Sequence, residues 1–352
     1  MPELSYPDVK AAAGRIAGRT RPLAVAPVEP GWYGTGAAEV WLALEFMQHT
    51  GSFKARGAQN FLQAHREAGS LPEAGVTIAS GGNAGLACAW AAQQQGVRAT
   101  VFLPATAPAV KVARLRSYGA EVRLVGVEYA EALAACEEYA AASGALASHA
   151  YDHPLIAAGA GTLLTELLER LPALDTVVLS VGGGGLFAGV ATAAREHGVH
   201  VVAVEPEGSR ALHAALEAGG VVDVPVDSVA ADALGARRAS AAALAAARHD
   251  GVTSLLVPDA EITRARRALW DDRRLAVEHA AATALAALGS ATYRPAEGER
   301  IAVVLCGSNT DPADLTAGQS QGRKPLVDRG PAGGGWAHDD NSDHRGQQGP
   351  RP

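Results

Sequence analysis

The stretch TVVLSVGGGGLFAGVATAAREHGVHVVAVEP, residues 176–206, reads as a strand, a glycine loop, a helix and a second strand. Thr176–Ser180 and His200–Glu205 are apolar runs without polar alternation, as in strands covered on both faces. Leu186–His197 between them carries helical spacing. Two such strands joined through a helix form a βαβ unit, which places them parallel.

Outward from this unit the alternation continues. Upstream, Val76–Ala79, Ala99–Leu103 and Glu121–Val125 are strand candidates. Helical stretches follow them at Ala84–Gln95, Val110–Tyr118 and Tyr129–Ala142, and another helix is expected at Gly159–Leu171. Downstream come a helix at Ala211–Ala218 and a late apolar strand at Ile301–Leu305. The fold class is α/β with open, mostly parallel sheets, and 352 residues suffice for two of them. Residues 316–352 are rich in Gly, Gln, Asp, Arg and Pro and read as a disordered tail.

The formal net charge of −7 argues against a nucleic-acid partner, which needs a basic face. Three cysteines without a close pair argue against a disulfide scaffold or a zinc site, and favour a reducing compartment. No signal-like apolar run opens the sequence and no membrane span is expected, so the cytoplasm is the expected location. Only four of the 30 basic residues are lysines: Lys10, Lys54, Lys111 and Lys324. Lysine, unlike arginine, can shed its proton and act as a nucleophile.

Four segments carry candidate chemistry. In Thr50–Ala58, a Gly-Ser turn precedes a helix starting near Phe53, which puts Lys54 in the first turn. The helix dipole there disfavours an ammonium. An ordinary surface lysine fits the same residues. Ser80-Gly81-Gly82-Asn83-Ala84-Gly85 follows a strand and opens a helix, so its free amides suit a carboxylate; a glycine-rich turn capped by Asn83 is the plainer alternative. Ser180–Leu186, with Gly182, Gly183, Gly184 and Gly185, suits a phosphate. Gly183-x-Gly185-x-x-Ala188 matches a dinucleotide fingerprint loosely, and no Gly-Lys-Ser/Thr marks an NTPase loop. Cys306-Gly307-Ser308-Asn309 ends the late strand, where ligands of open α/β sheets sit. Cys306 offers a weak S–H to a ring atom, or packs as a small core residue.

An aldehyde-binding lysine, a phosphate cradle and a ring partner together describe pyridoxal 5′-phosphate. On these motifs, and on Tyr151–Gly161, Thr162, Val204-Glu205-Pro206 and Glu278 in a late helix, the sequence resembles the serine/threonine dehydratase branch of the fold-type-II, tryptophan-synthase-β-like pyridoxal-phosphate enzymes. The resemblance runs from about Val9 to Asp311.

The resemblance implies a large cofactor-binding domain of residues 1–73 and 150–315. A smaller α/β domain, 74–149, would be inserted in it, with the cofactor in the cleft between them. It implies that Lys54 bonds the cofactor aldehyde, Phe53 flanks the ring and Asn83 meets its 3′-oxygen. Gly182, Gly183, Gly184, Gly185 and the Leu186 amide would hold the phosphate, and Cys306 would face the pyridine nitrogen. Ser80, Gly81, Asn83 and Ala84 would bind the substrate carboxylate.

The activity implied is β-elimination from L-threonine or L-serine to a 2-oxo acid and ammonia, with the freed Lys54 amine taking the Cα proton. A homodimer is also implied. Two departures matter. Gly81 stands where racemase-competent members carry a serine, so little racemase activity is expected. Ala211 stands where members with a divalent-cation site carry an acidic residue, so no metal is expected. Rival readings are β-replacement, elimination from hydroxyaspartate or diaminopropionate, and a non-catalytic pyridoxal-phosphate- or dinucleotide-binding protein.

Overall fold

The computed structural model describes residues 4–316. Its strands are β1 (Val25–Pro27), β2 (Glu39–Ala43), β3 (Val76–Ala79), β4 (Ala99–Leu103), β5 (Glu121–Leu124), β6 (Leu146–Ala147), β7 (Thr176–Ser180), β8 (His200–Pro206), β9 (Val252–Val257) and β10 (Arg300–Val304). The helices that position the site are α1 (Tyr6–Ile16), α2 (Lys54–Glu67), α3 (Asn83–Gln94), α4 (Ala109–Ser117), α5 (Tyr129–Ser143), α6 (Pro154–Arg170) and α7 (Gly185–His197). They are followed by α8 (Ala211–Ala218), α9 (Ala231–Leu234), α10 (Ala241–Ala247), α11 (Asp259–Arg273) and α12 (His279–Gly289). Among the described residues, no helix is long and apolar enough to cross a membrane.

Two sheets form. One is six-stranded in the order β1-β2-β10-β7-β8-β9, antiparallel only at β1–β2. The other is four-stranded and wholly parallel, β5-β4-β3-β6. β3, β4 and β7 are buried along their whole length, as their mostly apolar runs without charged residues lead one to expect. Each sheet has its own core: Leu163, Leu179, Phe187 and Val303 belong to the first, and Phe61, Trp90, Leu103 and Leu115 to the second. Both sheets lie in one compact unit that ends at Leu315.

The helices bearing the site are drawn together by missing side chains. A Cβ on Gly57 of α2 would lie 2.7 Å from the Ile156 carbonyl oxygen of α6. A Cβ on Gly189 of α7 would lie 2.0 Å from the Ala157 carbonyl oxygen. Backbones therefore meet at both crossings, which brings the starts of α2 and α7 to the same region. A buried charge cluster fixes the first turns of α2. Arg56, fully buried, donates from Nε to Glu45 Oε1 (2.6 Å), and from Nη1 to Glu166 Oε1 (2.6 Å) and Thr162 Oγ1 (3.2 Å). A buried guanidinium is tolerable only when paired this fully.

The structure departs from expectation in places. α6 begins at Pro154, five residues before the expected Gly159. Proline breaks helices internally but suits the first turn, where its fixed φ is helical and no N–H is needed. Glu278 is not inside a late helix; it is the residue just before α12. The expected tail, 316–352, lies outside the described residues from 317 onward.

Candidate active site

The four candidate segments converge on a cavity of about 590 Å³. Phe53, Lys54, Ser80, Gly81, Asn83, Ala84, Gly182, Gly183, Gly184, Gly185, Leu186 and Cys306 all line it. A larger hollow of about 810 Å³ lies beyond Tyr151, which lines both, but none of the candidate residues reaches it.

Lys54 opens α2. Its ammonium donates to the Ala150 carbonyl (2.6 Å) and lies 4.8 Å from the centre of the Phe53 ring. Burial holds its pKa well below the usual lysine range, at about 8, against the opposing influence of Cys306 and Glu278. The direction matches the expectation from the helix dipole, but desolvation is the dominant cause. A lysine titrating near 8 is a usable nucleophile at neutral pH. Uptake of pyridoxal phosphate by the cofactor-free protein should therefore accelerate as pH rises through about 8, because only the neutral amine attacks an aldehyde. Stopped-flow absorbance across that range checks this; a rate that falls with rising pH contradicts it.

Cys306 is fixed beside Lys54 by the backbone. The Phe53 amide donates to the Cys306 carbonyl (3.0 Å) and the Ser308 amide to the Gly51 carbonyl (2.9 Å). The Cys306 thiol lies 3.6 Å from Ser180 Oγ, and burial pushes its pKa up to about 12. It is a neutral S–H, unable to hold a proton on a facing ring nitrogen as a carboxylate would.

The glycine loop after β7 is shaped for an anion. Gly184 sits at φ +89°, where a Cβ would lie 2.3 Å from the Ala243 Cβ; a Cβ on Gly183 would lie 2.4 Å from the Tyr151 ring. Among the described residues, no backbone carbonyl accepts from the amides of Gly182–Leu186. These amides precede and open α7, whose positive end adds to the attraction. The start of α3 repeats the design: Gly82, not Asn83, caps it, and the first amides are free. A Cβ on Gly81 would meet Leu103 Cδ2 at 2.8 Å, so an apolar wall faces that position.

Glu278, which local sequence reading did not select, and Asn309, which closes the Cys306–Asn309 segment but was given no role there, complete the site. Asn83 Nδ2 donates to both Glu278 oxygens (3.0 Å each), and Asn309 Nδ2 donates to Asn83 Oδ1 (2.6 Å). Asn83 thus spends its side chain on this network rather than on a helix cap. Lys111, an unremarkable helix lysine in the sequence, also lines the cavity and pairs with Asp232 (2.8 Å). Glu205 accepts from the Leu212 and His213 amides at the start of α8 (2.8 Å each). Among the described residues, no cluster of three or more His, Cys, Asp or Glu is arranged for a metal ion.

The residues present fit pyridoxal phosphate: a buried amine of lowered pKa, a cradle that side chains would fill, and a neutral thiol lie in one cavity. Comparison with known proteins agrees. Residues 27–307 match the pyridoxal-phosphate-dependent enzyme family. The chain is 38% identical over 275 residues to an L-threonine ammonia-lyase of Geobacter sulfurreducens, covering 77% of this chain and 67% of that protein. It is 38% identical over 282 residues to a serine dehydratase-like protein of Rattus norvegicus, covering 77% and 85% respectively. A maize serine racemase structure superposes with a TM-score of 0.82 at 27% identity, covering 89% of this chain and 96% of that one. Cavity chemistry, sequence and fold thus agree that this chain belongs to the pyridoxal-phosphate-dependent enzymes.

Proposed function

We propose that this enzyme catalyses β-elimination from a hydroxy amino acid, L-threonine or L-serine, giving a 2-oxo acid and ammonia. The observation that carries the reading is the placement of the Lys54 amine between the free amides of α3 and the glycine loop. The similarity to an L-threonine ammonia-lyase and a serine dehydratase-like protein supports it.

When bound, pyridoxal phosphate supplies the electron sink for the charge that develops at Cα. Lys54 Nζ would hold the cofactor at rest and, once displaced by substrate, take the Cα proton. Ser80, Gly81, Asn83 and Ala84 would hold the substrate carboxylate at the start of α3. Gly182, Gly183, Gly184, Gly185 and Leu186 would hold the phosphate, with Phe53 and Cys306 against the ring. A thiol that stays protonated keeps the sink weak, which favours prompt loss of the β-hydroxyl over a long-lived carbanion. Gly81 carries no group to reprotonate Cα from the other face, so racemisation is minor.

Residues 74–149, which contain the whole four-stranded sheet, would move as a small domain over the substrate. Lys111 on α4, within those residues, pairs with Asp232 on α9, outside them, and both line the cavity. A homodimer in the cytoplasm belongs to the same reading.

The expected result of an assay panel is 2-oxo acid and ammonia from L-threonine or L-serine, no sulfide-dependent product, and D-serine formation at least about tenfold slower than elimination. Product only from hydroxyaspartate or diaminopropionate, or only with sulfide present, would reject the substrate assignment.

A further inference from the structure

Resting on this reading of the site, we infer that Glu278 is a positioning residue: with Asn309 it locks the Asn83 amide nitrogen-forward, making Asn83 a hydrogen-bond donor toward the cofactor's ring oxygen.

The orientation follows link by link from an acceptor that cannot change role. The Thr50 carbonyl only accepts, and Asn309 Nδ2 donates to it at 2.8 Å. That fixes which end of the Asn309 amide is nitrogen. Its second N–H goes to Asn83 Oδ1 (2.6 Å), so the Asn83 oxygen is committed. The Asn83 nitrogen then faces Glu278, whose two oxygens lie 3.0 Å away. Glu278 Oε1 also accepts the Asn309 backbone N–H at 2.8 Å, which ties both asparagines to one carboxylate. Turning Asn83 over would set its oxygen against the carboxylate and its NH₂ against that of Asn309, losing all three bonds and adding two repulsions. The two oxygens of one carboxylate are too close together to take both diverging N–H groups of the amide, so they share one and leave the other for a ligand in the cavity.

The fold makes room for this carboxylate. Glu278 is 7% exposed and lines the cavity. Its own amide donates to the Gly307 carbonyl (3.0 Å), and a Cβ on Gly307 would lie 2.9 Å from both of its oxygens. The charged or titratable groups that act on Glu278 or Lys54 here are Cys306, Asp232 and His149, besides each other. Burial raises the Glu278 pKa, opposed by the bonds from Asn83 and Asn309 and by Lys54. A donor at the ring oxygen favours its ionised form, and Glu278 in its charged form favours the positive charge at Lys54.

The test is a spectrophotometric pH titration of cofactor-loaded wild type, Glu278→Ala and Glu278→Gln. In Glu278→Ala, the long-wavelength visible band should lose most of its intensity at neutral pH. Its midpoint should fall by about 1 pH unit. Glu278→Gln removes the charge but keeps an oxygen for Asn83, so the band should survive while the midpoint still falls. The activity loss should lie in kcat more than in KM. Should Glu278→Ala not fold, Asn309→Ala replaces it, with the same band loss expected. Loaded, folded variants with the wild-type spectrum and midpoint overturn the inference alone. A wild type that takes up no cofactor overturns the functional reading, and this inference with it.

Discussion

Lys54→Ala is expected to lower kcat by about 10³-fold or more while leaving the fold intact. Both halves follow from the surroundings of Lys54. The amine is the nucleophile for the cofactor and the base for Cα, so no residue left behind replaces it; Glu278, the nearby buried carboxylate, is committed to Asn83 and Asn309. Burial lowers the Lys54 pKa to about 8, so its ammonium is less favourable in the folded protein than in the unfolded chain. The sign of that linkage is destabilising for the cofactor-free protein, fully below about pH 8 and fading as pH rises to the ordinary lysine value of 10.5. Removing it should therefore leave thermal stability unchanged or raised, in contrast to truncation of a core residue. Lys54→Arg should be equally inactive, since a guanidinium keeps the charge without a free amine. Borohydride reduction followed by mass spectrometry is the direct check. Cofactor mass on Lys54→Ala, or activity within tenfold of wild type, would reject Lys54 as the attachment site.

Much of the architecture was legible because buried parallel strands have a distinctive sequence. β3, β4 and β7 coincide with the expected runs at Val76–Ala79, Ala99–Leu103 and Thr176–Ser180. Each is mostly apolar and bounded by turn residues, and its few hydroxyl residues, Thr77, Thr100, Thr176 and Ser180, are buried with the rest. β1, β2, β6 and β9 were not foreseen; β6 is only two residues long. β1 is three residues of only partial burial, β2 begins on an exposed Glu39, and β9 is half-buried along most of its length. Strands of that kind lack both the unbroken apolar run and clean alternation, and depend on pairing partners distant in sequence.

The site divides in the same way. Lys54, Asn83, the glycine loop and Cys306 stand in short motifs whose chemistry is local. Glu278 has no such motif, because its function is defined by Asn83, 195 residues away. Its appearance among the resemblances carried no role until the two side chains were seen to meet. Lys111 shows the converse: its sequence context is an amphipathic helix, and only the fold places it opposite Asp232 at the cavity.

Gly184→Ala is expected to cost about 3 kcal/mol, taken either from stability or from cofactor affinity. Two causes add. At φ +89° an L-residue is strained by roughly 1–2 kcal/mol. The added methyl would also lie 2.3 Å from the Ala243 Cβ, on a helix that Ser240 caps firmly by accepting the Ala243 amide at 3.1 Å, so overpacking contributes about 1–3 kcal/mol more. If the loop shifts to relieve the clash, the amides of Gly182–Leu186 leave their positions, and affinity for pyridoxal phosphate should fall by roughly a hundredfold. If it does not shift, the loss appears in unfolding free energy. Gly198→Ala separates strain from site. Gly198 ends the same helix at φ +67°, but nothing lies within 4 Å of its added Cβ. That variant should lose only the strain, about 1 kcal/mol, and bind the cofactor as wild type does. Denaturant unfolding and cofactor titration of the two variants side by side decide the matter. Equal losses in both would mean that the loop after β7 is held open by backbone conformation alone, and that its closeness to α10 has no part in shaping the phosphate cradle.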